Sequence, residues 1–259
     1  MYRTLNPRQQ FSALLLALVK RDLTARYRRS FLGPLWAILQ PLLLMLLFLF
    51  LSSVVNIPSE GAPYVLFSFA ALVPWTFFNN AINGCAPSIT TNAGLLKKMA
   101  VPREVFPLGA VTIASFDLLM AGSVLAFMLL VFNVPLTFHL AWLPVLALGL
   151  GLLALGVGMF IAALATYRRD FVYATPFLLQ FWLYATPVAY PLSSVPERFM
   201  GLYQLNPTVG YIDGFRSVIV HGRAPDFSLL LLAFGISALV FLVGWGVFRL
   251  TSQYFADVL

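Results

Sequence analysis

Residues 31–55 carry no charge, and they follow, after Ser30, on a basic decapeptide, residues 20–29, in which five side chains are cationic and one, Asp22, is acidic. An apolar helix of that length crosses a hydrocarbon core of about 30 Å. Lys and Arg beside a spanning segment stay on the cytoplasmic side during insertion. This single junction therefore fixes the orientation expected for every later segment.

The rest of the chain agrees with a membrane solution. Of its 259 residues, 61% are hydrophobic and 10% charged, against about 25% charged in soluble domains, and mean hydropathy is +0.89. The net charge of +7 is distributed as a topology signal rather than as a nucleic-acid surface; contact with anionic headgroups of membrane lipids follows from it. The lone cysteine, Cys85, excludes an internal disulfide and a cysteine-rich metal site. The short apolar patch at residues 11–19 lacks a small-residue cleavage site, so no cleavable leader is predicted.

Six spans are predicted, over residues 31–55, 64–92, 108–132, 141–166, 173–190 and 228–250. The fold class is all-α and polytopic, with one six-helix transmembrane domain over residues 31–250. In the cytoplasmic segment 1–30, Phe11, Leu14, Leu15 and Leu18 recur at helical spacing, the pattern of a helix lying in the interface. Residues 251–259 form a tail, and both termini are expected in the cytoplasm. Thirteen of the sixteen Lys and Arg fall on that side. The other three, Arg198, Arg216 and Arg223, are balanced by Glu197, Asp213 and Asp226 in the connection 191–227. That connection holds half-apolar pieces too short to span, suited to short external re-entrant helices. Gly149, Gly151, Gly156 and Gly158 in the fourth span allow a neighbouring helix to approach closely.

No phosphate loop of the form G-x-x-x-x-G-K-[ST] and no H-E-x-x-H occurs. No catalytic, cofactor-binding or metal-binding set is assigned. Asp117 is the sole acid well inside a predicted span, read as an unpaired carboxyl, protonated or hydrogen-bonded, that joins helices.

Five groups of residues in order carry a resemblance. They are Arg26-Tyr27-Arg28-Arg29-Ser30-Phe31-Leu32-Gly33-Pro34-Leu35-Trp36 with Gln40-Pro41; Leu72-Val73-Pro74-Trp75-Thr76-Phe77-Phe78; Leu96-Lys97-Lys98 through Pro102-Arg103; Tyr167-Arg168-Arg169-Asp170; and Pro187-Val188-Ala189-Tyr190-Pro191 with Val195-Pro196-Glu197 and Leu205-Asn206-Pro207. The closing Phe255-Ala256-Asp257-Val258 fits as well. Together they resemble the ABC-2-type permeases that export polysaccharides, over essentially the whole chain.

The resemblance implies a homodimer of six-span subunits, multi-pass in a bacterial plasma (inner) membrane, driven by two copies of a separate ATPase. ATP and Mg would be used by that partner; this chain would be no enzyme and hold no cofactor. The implied cargo is a polyprenyl-diphosphate-linked polysaccharide such as O-antigen, capsule or teichoic acid precursor. Residues 97–103 would be a coupling helix seated in the ATPase, with Lys97, Lys98 and Arg103 in contact and Arg168 and Arg169 secondary. The connection 191–227 would form an external gate, with Tyr190, Pro191, Asn206 and Pro207 at it.

A hydrated polymer needs hydrogen-bonding groups along its route. Gln40 supplies one in the first span, and Asn79 and Asn83 share a face of the second. Phe177, Phe181 and Tyr184 share a face of the fifth, where helix packing and a path for sugars are both open readings. The first, second and fifth spans are expected to line the conduit, and the third, fourth and sixth to support it. The alternative function is an intramembrane transferase acting on polyprenyl-linked sugars; the poverty of intramembrane acids, bases and metal ligands favours export.

Overall fold

The computed structural model describes residues 7–28, 30–98 and 101–259. Arg3 and Arg29 of the basic segment, and the centre of the 97–103 stretch, lie outside the described residues. Among the described residues there is no strand; the elements are α1 (Pro7–Arg28), α2 (Trp36–Val55), α3 (Tyr64–Cys85), α4 (Ser88–Thr91), α5 (Ala93–Lys98), α6 (Val105–Val131), α7 (Leu143–Tyr167), α8 (Asp170–Tyr184), α9 (Glu197–Leu205), α10 (Pro207–Ile219), α11 (Phe227–Ser252) and α12 (Phe255–Val258).

α1 runs past the apolar patch and through the basic segment to Arg28. Leu18, Asp22 and Arg26 continue the helical face begun by Phe11, Leu14 and Leu15, and that face packs on α6 around Val105 and Phe106. The chain then turns at Gly33, whose φ is +50°. A Cβ there would meet nothing within 4 Å, so the backbone angle, not space, calls for glycine.

Among the described residues, five helical stretches are long and apolar enough to cross a membrane: Gly33–Val55, Tyr64–Cys85, Val105–Val131, Phe138–Tyr167 and Phe227–Ser252. The expected fifth crossing differs. α8 has 15 residues, about 22 Å of helix, and the chain continues through Thr186 and Pro187 as an irregular hairpin. The expected second span also ends early, at Cys85 rather than Asn92. Pro87 has no amide hydrogen to donate, and the chain restarts as α4 and α5. Ser88, Thr90, Thr91 and Asn92 therefore leave the span and gather at its end.

α3 is the centre of the bundle. Its apolar window is 83% buried, against 17% for the first span, so α3 is enclosed by protein while α2 turns Leu43, Leu46, Leu47 and Phe50 outward. Phe67, Phe69, Leu72 and Phe78 of α3 are fully buried, and the Phe78 ring meets Trp182 of α8 edge-on at 5.2 Å. α7 and α11 approach closely: a Cβ on Gly156 would stand 2.6 Å from Phe241 Cα, and one on Gly244 would collide with the Gly156 carbonyl oxygen. Gly149 and Gly158 are equally confined, by Tyr211 and Phe234 and by Cys85 respectively; Gly151 has room. A second core lies at the end of the bundle that carries α1, α5 and Arg168, here called the basic end, around Ile89, Phe106, Met159, Phe248 and Phe255.

Candidate functional site: a polar cavity at the basic end

At the basic end a cavity of about 400 Å³ opens between α1, α3, α4 and α6. Asp22 and Arg26 reach it from α1, Asn80 and Asn83 from α3, Ser88 and Thr91 from α4, while Leu18 and Phe106 give it an apolar wall. Its inner end is an ion pair. Asp117 Oδ2 accepts from Arg26 Nη1 at 2.8 Å and from Asn80 Nδ2 at 3.3 Å. The Asp117 side chain is 2% exposed and that of Arg26 42%, so the guanidinium joins a buried carboxylate to the cavity. Asp117 thus joins helices through hydrogen bonds, as expected, but with an ionic partner rather than unpaired. Its partner comes from a segment whose charge reads as pure topology, because α1 continues alongside α6 as far as Arg28. Arg21 Nη2 donates to Asn92 Oδ1 at 2.7 Å, and Asn92 Nδ2 to the Ser88 carbonyl at 2.8 Å, fastening α1 over α4. The buried Ser88 hydroxyl has no hydrogen-bond partner.

The expected coupling residues gather near this end. Lys97 and Lys98 are exposed at the end of α5, Arg168 and Arg169 are exposed between α7 and α8, and Arg103 is half-buried with its Nε unpartnered. Phe255 of the closing segment lies among them. Fully buried, it meets the Phe248 ring at 5.4 Å and the Tyr167 ring at 6.2 Å, and α12 packs on both α5 and α7.

At the opposite end, α8 gives way to a hairpin held by Arg216 of α10. Arg216 is 3% exposed and donates to the carbonyls of Pro187 (2.5 Å), Val188, Tyr190 (2.9 Å) and Phe67 (3.4 Å). All four expected gate residues lie around this junction. The Tyr190 hydroxyl donates to the Tyr184 carbonyl and sits 2.8 Å from that of Tyr203. Buried Pro191 precedes a short turn, Leu192–Ser194. Asn206 Oδ1 accepts from Trp182 Nε1 at 2.9 Å and caps α10, whose first residue is Pro207. Glu60 ties the first connection in, bonded by Ser193 at 2.8 Å and His221 at 3.1 Å. Asp226 caps α11; hydrogen bonds from Ser228 and Leu229 hold its carboxyl below the usual range.

The expected path residues divide. Asn83 Nδ2 donates to Asn79 Oδ1 at 3.2 Å on α3, and Asn83 lines the cavity. Gln40 is half-buried beside buried Pro41 in α2. On α8 the inner face is Thr175, Leu179 and Trp182, whereas Phe177, Phe181 and Tyr184 point away from α3, 67%, 75% and 62% exposed. Within one chain the stripe and the asparagines are on different surfaces. Sequence reasoning missed Arg26 and Arg216. For Arg26 the signal was present: it continues the stripe at Leu18 and Asp22 with four-residue spacing. Among the described residues no group of three or more His, Cys, Asp or Glu could hold a metal ion.

Comparison with known proteins bears on the whole chain. A family model described as ABC-2 type transporter matches residues 13–220. The O-antigen export system permease protein RfbA of Myxococcus xanthus is 30% identical, over 99% of both chains. A Klebsiella pneumoniae protein of the same name is 26% identical over 95% of both chains. The polysialic acid transport protein KpsM of Escherichia coli is 24% identical over 80% of this chain and 81% of its own. A match that takes in α1 through α10, on a multi-pass helical membrane fold, gives the family: the chain belongs to the ABC-2 type transporters.

Proposed function

We propose that this chain is the permease subunit of an ATP-driven exporter, moving a lipid-linked polysaccharide out of the cytoplasm. The observation that carries this reading is the end-to-end similarity to O-antigen export permeases, with cover of 99% on both sides for the Myxococcus protein. In this reading the protein sits in a bacterial inner membrane with six crossings, α8 being the short one, and both termini in the cytoplasm. The basic end faces the cytoplasm, as the position of Lys97, Lys98, Arg168 and Arg169 supports. Two copies assemble with two ATPase chains, which bind ATP and Mg. Lys97, Lys98 and Arg103 dock the ATPase. The polymer passes Gln40, Asn79, Asn83 and the outward aromatic stripe of α8, and the hairpin with α9 and α10 closes the path outside. Movement between the two copies opens it.

The test is reconstitution of the chain with its ATPase in vesicles, following polymer that crosses the membrane. Export that needs both chains and ATP is expected; sugar transfer by this chain alone overturns the reading. Single exposed charges contribute about 0–1 kcal/mol, so docking is tested by reversing Lys97, Lys98 and Arg103 to Glu together. Stimulated ATP hydrolysis and export should both be lost while membrane insertion persists. Survival of both removes the docking assignment.

A further inference from the structure

The cavity between α1, α3, α4 and α6 holds more hydrogen-bonding capacity than its own side chains use. Ser88 is 7% exposed, and its buried hydroxyl has no partner among the described residues. Asn83 commits an amide N–H to Asn79 and Asn80 commits one to Asp117, while the side-chain carbonyl oxygens of both accept no hydrogen bond from the described residues. Thr91 adds a hydroxyl at the exposed rim. The charges cancel: Arg26 is paired with Asp117, and Asp22 with Arg21. A phosphate would meet the Asp22 carboxylate and, in Arg26, a cation already paired with Asp117, an unfavourable field. A neutral polyol, each hydroxyl both donor and acceptor, matches lone oxygens and hydroxyls on one wall, and its C–H face matches Leu18 and Phe106 on the other. The volume of about 400 Å³ falls within the usual small-molecule range of about 300–1,000 Å³.

We propose that this cavity is a saccharide-binding subsite that holds one neutral sugar residue of the cargo, through Ser88, Asn80 and Asn83, before it enters the export path, with Thr91 at its rim. This rests on the polysaccharide-export reading and adds where the sugar is first held: inside one subunit, beneath α1. The Arg26–Asp117 pair is then a positioning device, holding α1 against α6 as the lid of the subsite.

The experiment uses the full chain in membrane vesicles, with Thr91→Cys at the rim in a Cys85→Ala background. A water-soluble maleimide reports access. The probes are the methyl glycosides of galactose, mannose, rhamnose and N-acetylglucosamine, each alone, and inorganic pyrophosphate. One glycoside should slow labelling about tenfold at ten times its half-protecting concentration. Adding Ser88→Ala should raise that concentration about fivefold, and should not lower the thermal unfolding midpoint because the buried hydroxyl bonds nothing among the described residues. Protection by pyrophosphate as good as by any glycoside, no protection by any glycoside, or a Cys that is never labelled each overturns the proposal. Labelling needs neither ATP nor a partner. Export without glycoside protection therefore removes the subsite and leaves the function, and protection without export does the reverse.

Discussion

Arg216 organises more backbone than any other single side chain described. Its planar fork reaches carbonyls at Pro187, Val188 and Tyr190, its Nε reaches Phe67, and its guanidinium carbon lies 3.9 Å over the Phe67 ring. Non-helical carbonyls near membrane depth are tolerated only when protein satisfies them. An ammonium group is a point charge and cannot repeat the fork. Arg216→Lys should therefore lower stability by about 3 kcal/mol, read as the thermal unfolding of purified protein in detergent; a loss below about 1 kcal/mol would refute the assignment. In the sequence Arg216 is one of three cations balanced by three acids within a connection. The carbonyls it serves lie 26 to 29 and 149 residues away, so no local pattern marks it. Arg26 was legible in principle, by its place on the α1 face, but its partner Asp117 is 91 residues distant.

Between elements, the closest approach is that of α7 and α11. Gly244→Ala would push a methyl group into the Gly156 carbonyl and force the helices apart, at about 1–3 kcal/mol. Gly235, on the same helix, has nothing within 4 Å of its would-be Cβ. Gly235→Ala should be neutral or stabilise by up to about 1 kcal/mol. Unfolding midpoints of the two variants, measured side by side, check the contrast; equal effects would mean that the contact is not tight. The glycine run of α7 was plain in the sequence, whereas its partner in α11 was not, since small residues mark one side of a contact without naming the other. Hydropathy likewise located α8 but misjudged its length, because it weighs composition and does not see Arg216 drawing residues 187–190 out of helical form. Nor does it separate the outward Phe177, Phe181 and Tyr184 from the inward Leu179 and Trp182. Both faces are apolar, one against protein and the other against whatever lies beyond the single chain.

Across the whole molecule, the closing segment links the parts that the proposed cycle must couple. Phe255 packs where α5, α7 and α11 meet, so the helix proposed to receive the ATPase leans on the last residues of the chain. Phe255→Ala should reduce ATP-driven export severalfold more than it reduces the amount of chain in the membrane, a comparison made by normalising export to immunodetected protein. A proportional fall in both would make the residue purely a folding determinant. The segment was recognisable as a motif, but its task was not, since four residues carry no periodicity. The brevity of α8 reaches beyond the protein. Its 15 residues cover about 22 Å of a hydrocarbon layer about 30 Å thick. As the short crossing of the proposed six-span arrangement, α8 requires the lipid beside it to dimple inward and keep the hairpin out of the hydrocarbon, at a fraction of a kcal/mol for each ångström of mismatch. Bilayer thickness thereby becomes a variable of the transporter, and lipids with shorter acyl chains should collect along α8.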